Sequence, residues 1–123
     1  EDLGCSIDEE LLKIHKSYLP VLSGILEKPW LKALSHITGG GLIENTHRVL
    51  EKGQDIEIDW NSWEWPSIFK LIQKEGNIKF NDMIRPFNLG IGIVLIINKD
   101  SLNKLENHLN KLNESYYLIG EVI

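Results

Sequence analysis

Residues Ser35–Leu50 read SHITGGGLIENTHRVL, an apolar segment, three glycines in succession, then apolar residues at helical spacing. Glycines cost backbone entropy on folding. A triplet is therefore kept where the chain needs positive φ, close backbone approach, or main-chain N–H groups presented to an anion. The stretch LKALSHI (31–37) reads as a strand from its length and the glycine stop that follows it. Past the glycines, Leu42, Ile43, Thr46, Val49 and Leu50 recur at helical spacing, and Gly53 supplies an end. The junction is a strand feeding a short helix through three residues that lack a β-carbon.

Working outward from that junction, SIDE at Ser6–Glu9 has capping-box spacing, so a helix follows it. Pro20 opens a second helix, predicted to run to Glu27 before Pro29 stops it. Downstream, DIEID (55–59) alternates as a half-buried strand does. Pro66 opens a helix with Ile68, Phe69, Leu71 and Ile72 inward and Gly76 as its stop. FNDMIRPF (80–87) is a turn or short helix broken by Pro86, and GIGIVLII (90–97) is the strongest strand. Leu102, Leu105, Leu109 and Leu112 form one helical stripe that Asp100 or Ser101 can cap, and YYLIGEVI (116–123) closes as a strand. The predicted fold class is α+β: a two-layer sandwich with one four-stranded, mixed or mostly antiparallel sheet and helices packed on one face, all within a single domain spanning 1–123.

The composition narrows the function classes. With 123 residues, of which 42% are hydrophobic and 25% charged, the chain suits one domain and one core. No apolar run approaches the roughly 18 residues of a membrane span, so no membrane partner is expected. A net charge of −5 argues against a nucleic-acid surface while leaving room for a local phosphate site. The single Cys5 excludes an intrachain disulfide and four-cysteine zinc sites, and fits a reducing compartment. His15, His36, His47 and His108 have no metal-ligand spacing, so no metal site is expected. The acidic start EDLGCSIDEE has no apolar core region of a signal peptide, which points to a cytoplasmic protein, and the lack of an initiator Met suits a piece of a longer chain.

Few residues can carry chemistry. Gly39, Gly40 and Gly41 either cradle an anion on their N–H groups or make a tight packing turn. The triplet lacks the Lys and Ser/Thr that follow in a phosphate-binding P-loop. His36 and Thr38 flank it, His36 as a candidate for a direct role and Thr38 with a hydroxyl free to turn into the loop. Arg48 stands four residues after Glu44, the order and spacing of a helical ion pair. Trp60, Trp63 and Trp65 read as packing rather than as a platform for a base. Asn88, Gly90 and Gly92 place an amide and two close-approach positions at the entry to the strongest strand, unless they form a β-bulge.

Three segments then carry a resemblance. HITGGGLIEN..RVL, ID..SW.WP.IF..IQ..GN and M.R.FN.GIGIVL, in this order and spacing, resemble the C-terminal domain of aminoimidazole ribonucleotide synthetase, the phosphoribosylformylglycinamidine cyclo-ligase family of purine biosynthesis. The resemblance covers roughly residues 18–123. It implies a two-domain homodimeric enzyme that uses ATP and Mg²⁺ to activate the formyl oxygen of formylglycinamidine ribonucleotide, after which the amidine nitrogen displaces phosphate and closes the ring. The nucleotide and metal apparatus belongs mainly to an N-terminal ATP-binding domain with a DGVGTK-type motif, which these residues lack. This chain is then the other half, one wall of the substrate cleft and inactive alone. His36 is the catalytic candidate, with Thr38, Gly39, Gly40, Gly41, Asn45, Asn88 and Gly90 as substrate-binding residues. Related enzymes of the selenophosphate synthetase or thiamine-monophosphate kinase type, which do not share the SWxWPxIFxxIQxxGN stretch, or a non-catalytic binding domain of the same fold, are the alternatives. The chain departs from the family's LLxPTRIYVKPVL at Leu11–Leu22, and carries Pro86 for Thr, His47 for Pro and Ile93 for Met. Family members usually run on past the position of Ile123, so a further strand is expected there.

Overall fold

The computed structural model describes residues 3–123; Glu1 and Asp2 of the acidic start lie outside the described residues. In chain order the elements are α1 (Ile7–Leu11), α2 (Leu19–Leu22), β1 (Leu31–His36), α3 (Gly41–His47), β2 (Ile56–Ile58), α4 (Ser67–Glu75), α5 (Phe80–Met83), β3 (Ile93–Ile97), a 3-10 turn (Lys99–Ser101), α6 (Leu102–Lys111) and β4 (Gly120–Val122). The chain is thus α+β, and each of the four strands expected within residues 31–123 is present, the last of them only over Gly120–Val122. The capping box is formed as read: Glu9 N–H donates to Ser6 Oγ at 3.3 Å, and Ser6 N–H to Glu9 Oε2 at 3.0 Å. No helix is long and apolar enough to cross a membrane among the described residues.

The expected single four-stranded sheet is not what forms. β1 pairs antiparallel with β3, from His36 opposite Ile93 to Leu31 opposite Ile97, and β2 pairs antiparallel with β4, giving two separate two-stranded sheets. Alternation along a strand determines which face is apolar, but it does not determine which edge finds a partner. The short β2–β4 ladder meets the rest through the side chains of Ile58 and Ile119, which pack against the main cluster, rather than through backbone pairing with β1 or β3. Its two strands lie close: a β-carbon on Gly120 would stand 2.0 Å from the Glu57 carbonyl.

Helices do not cover one face alone either. On β3, Val94 packs against a cluster of Ile37, Leu42, Trp63, Met83, Leu89 and Ile91, whereas Leu95 and Ile97 pack against a second cluster of Val21, Ile25, Trp30, Leu105 and Leu109. Period-two alternation therefore sends apolar residues into both clusters, one on each side of the β1–β3 ladder. α2 and α6 supply the second cluster, and α3, α5 and the Trp63 segment supply the first. Two helices are shorter than the spacing predicts. α2 stops at Leu22, where Ser23 leaves helical geometry ahead of Gly24 at φ +86°, and α3 gives way after His47 to i→i+3 turns at Val49 and Leu50. The 3-10 turn precedes α6, and neither Asp100 nor Ser101 caps it with a side-chain hydrogen bond.

The tryptophans pack, as their pattern suggested. Trp63 is 6% exposed and its indole N–H donates to the Leu89 carbonyl at 2.9 Å, while Trp60 tilts against Trp63 and Trp65 stacks on Phe80. Leu89 is fully buried with φ +52°, a left-handed conformation that costs a leucine about 1–2 kcal/mol. Its side chain in the core and its carbonyl on Trp63 hold it there. Trp63→Phe keeps most of the ring volume but leaves a buried carbonyl without its donor, and is expected to destabilise the fold by about 1–3 kcal/mol. Denaturant unfolding checks this; an unchanged midpoint would show that the Leu89 carbonyl does not depend on the indole.

Candidate functional site

A groove of about 530 Å³ opens along the end of β1, and its wall brings together His36, Thr38, Gly39, Asn88 and Gly90. The two segments that supply these residues are far apart in sequence and meet because Ile37 N–H donates to the Gly92 carbonyl at 2.9 Å, prolonging the β1–β3 ladder to the groove. Phe69 of α4, Pro86 and Phe87 close the apolar side. His36 is exposed, with its ring edge-on to Tyr18 at 6.3 Å between centroids.

Gly40, Gly41 and Asn45 do not line the groove; they build the loop that does. Asn45 is 4% exposed, and its amide group donates to the carbonyls of Gly41 (2.8 Å), Thr38 (3.2 Å) and Gly39 (3.3 Å). Its oxygen accepts from the Thr38 hydroxyl and from Arg48, both at 3.3 Å. Arg48 also pairs with Glu44, the ion pair its spacing suggested. An amide whose two N–H hydrogens are shared among three loop carbonyls holds the loop in one shape, since the carbonyls of Gly39 and Gly41 would otherwise need water.

The three glycines serve three different ends. Gly41, at φ +67°, lies against the segment 84–87, where a β-carbon would stand 2.4 Å from the Ile84 carbonyl and 2.8 Å from that of Arg85. Gly40 caps α3 at φ +103°. Gly39 has open space where a side chain would be. The Gly41 N–H is spent on the Thr38 carbonyl at 3.2 Å, whereas the N–H groups of Gly39 and Gly40 have no acceptor among the described residues. On the facing segment, Asn88 Oδ1 accepts from Gly90 N–H at 2.9 Å, making a tight turn rather than a bulge and leaving the Asn88 amide nitrogen without an acceptor among the described residues.

The residues missed from sequence lie on an irregular arm: Lys13, His15, Lys16 and Tyr18 form the remaining wall. Lys13 pairs with Glu10 and Lys16 with Glu114 at the end of α6. The hydrogen bond that Lys13 donates to Glu10 raises the Lys13 pKa and, followed by the one the Cys5 thiol donates, holds the Glu10 carboxyl below its ordinary range. Neither acid lines the groove, and no Asp or Glu does. The only signal of this wall in the sequence is the clustering of cations in KIHKSY, which has no spacing that names a ligand.

Residues 6–123 match the family described as AIR synthase related protein, C-terminal domain. The chain is 41% identical over 99% of its length to a phosphoribosylformylglycinamidine cyclo-ligase of Pseudothermotoga lettingae, covering 36% of that protein. It is 42% identical over 99% of its length to the cyclo-ligase of a Geobacillus species, and 38% identical over its whole length to that of Alkaliphilus oremlandii. It spans about a third of the length of these curated relatives.

The contrast between Gly41 and Gly39 is testable by alanine. Gly41→Ala meets backbone carbonyls on a positive φ and is expected to cost about 2–6 kcal/mol, from strain and overpacking together. Gly39→Ala meets nothing and should stay within about 1 kcal/mol of the parent. Thermal melts of both variants check this, and equal losses would contradict the division of roles within the triplet.

Proposed function

The chain belongs to the family of AIR synthase related proteins, as their C-terminal domain, and from that premise we propose that it forms one wall of the ribonucleotide cleft of a phosphoribosylformylglycinamidine cyclo-ligase. The observation that carries this reading is the gathering of His36, Thr38, Gly39, Asn88 and Gly90 along one groove whose wall has no carboxylate. The names of the relatives supply the reaction class. The substrate is an anionic ribonucleotide, to which such a wall presents donors and cations and no like charge.

Within that cleft the chain's own residues bind and orient. The Gly39 N–H and the Asn88 amide nitrogen, both uncommitted, donate to carbonyl and hydroxyl oxygens of the substrate. His36, at the mouth of β1, is the group placed to take a proton from the attacking amidine nitrogen as the ring closes. Ring closure of a flexible amidine gains most from orientation, and a fixed loop supplies it.

ATP and Mg²⁺ belong to the reaction that this reading implies. The groove offers a metal ion no carboxylate, and among the described residues no group of three or more His, Cys, Asp or Glu could hold one. These residues do not fit the magnesium nucleotide, so no step through it is assigned to them. Its binding is assigned mainly to the remaining two-thirds of a relative-length polypeptide.

The test is turnover by the full-length polypeptide with formylglycinamidine ribonucleotide and MgATP. Gly39→Ala, which puts a methyl group in the wall without disturbing the fold, is expected to lower kcat/KM by about 10²-fold, the cost of a misplaced reactant. His36→Ala should lower kcat at an unchanged melting temperature. Full activity in both variants would remove the groove from the reaction.

A further inference from the structure

The arm that closes the groove is positioned by a notch in β3's entry. A β-carbon built on Gly92 would lie 1.7 Å from the Tyr18 hydroxyl oxygen. The phenol ring therefore occupies space that exists because residue 92 has no side chain. That ring meets His36 edge-on at 6.3 Å, and the Lys16 ammonium stands 5.7 Å from its centroid. Lys16, Tyr18 and His36 thus form one continuous series of contacts from the arm to β1. The Tyr18 hydroxyl has no hydrogen-bond partner among the described residues. Around it, a chain of net charge −5 presents two lysines, two histidines and no acid to the groove.

We propose that this corner is the subsite for the phosphate monoester of the ribonucleotide. Lys13 and Lys16 supply the charge, His15 flanks the anion, and Tyr18, seated over Gly92, holds the arm against β1, with His36 left to the reacting end of the ligand. The inference rests on the reading that the groove takes a ribonucleotide, and it assigns which end of that ligand lies where. Both lysines are paired with half-buried carboxylates, Glu10 and Glu114, that stand outside the groove, while the lysine side chains themselves are exposed. A dianionic phosphate competes for these solvent-reached ammonium groups through short charge-assisted hydrogen bonds.

Calorimetric titration of the full-length polypeptide with ribose 5-phosphate, and separately with inorganic phosphate, tests the assignment. The ester is expected to bind more tightly than inorganic phosphate, and Lys16→Ala and Tyr18→Ala are each expected to weaken the ester about tenfold, the worth of one charge-assisted contact. Lys16 is a surface residue whose loss leaves the cores intact, so its variant reads the site even if emptying the Gly92 notch disturbs the fold. No binding of the ester, or unchanged binding in both variants, would overturn the proposal. Inorganic phosphate binding as tightly as the ester would overturn it as well, assigning the corner to a released phosphate. Ribose 5-phosphate carries no formylglycinamidine group to close into a ring, so failure here leaves the cyclo-ligase reading standing, and absent turnover leaves this titration interpretable.

Discussion

Three carbonyls of the glycine loop converge on one buried amide, that of Asn45, and the groove's β1 side depends on that convergence. A loop with two positive-φ glycines has many accessible shapes, and fixing one requires that its backbone acceptors be met in a single arrangement. Asn45 does this from inside, and Gly41 does it from outside by lying against the carbonyls of Ile84 and Arg85, closer than a β-carbon permits. The loop is held between its own helix and the 84–87 segment. What remains turned to solvent is Gly39, with an uncommitted N–H and no side chain. The triplet is therefore both a packing turn and a donor surface, with the two functions assigned to different glycines.

The opposite lip is held by a similar balance. Leu89 adopts a left-handed backbone that a leucine resists, yet it is one of the most buried residues in the chain, and its carbonyl receives the Trp63 indole. The turn it makes presents Asn88 and Gly90 to the groove. Local strain is retained where surrounding packing over-determines it. Here the aromatic segment around Trp60, Trp63 and Trp65, which has no place in the groove wall, keeps the turn in shape.

The legibility of the fold in the sequence followed what periodicity can encode. The apolar spacing of α4 and α6 and the run IVLII reveal elements by their own repeat. Strand partners do not have a repeat: nothing in DIEID or GEVI says that β2 and β4 pair with each other and leave the β1–β3 ladder as a separate sheet. Nor does the alternation in β3 say whether its second face meets solvent or, as happens, Val21, Ile25 and Leu105. At the site, His36, Thr38, Gly39, Asn88 and Gly90 were legible because glycine and amide residues at strand ends limit what a backbone can do there. Asn45 was named with the ligand-facing residues, and it faces the loop, since sequence cannot show which way a short helix turns. The arm was opaque because Lys13, His15 and Lys16 have no regular structure, and their place is determined by a contact across the fold, Tyr18 on Gly92.

In the proposed function the loop and the Asn88 turn together form one wall of a ribonucleotide cleft, with Asn45 acting behind it. A crystal structure of the full-length polypeptide with formylglycinamidine ribonucleotide bound measures this directly. Ligand oxygens are expected within hydrogen-bond distance of the Gly39 N–H and the Asn88 amide nitrogen, with the Asn45 amide still on the carbonyls of Thr38, Gly39 and Gly41. Ligand bound away from this wall, with the Gly39 and Gly40 N–H groups taken up by carbonyls of the polypeptide itself, would contradict it.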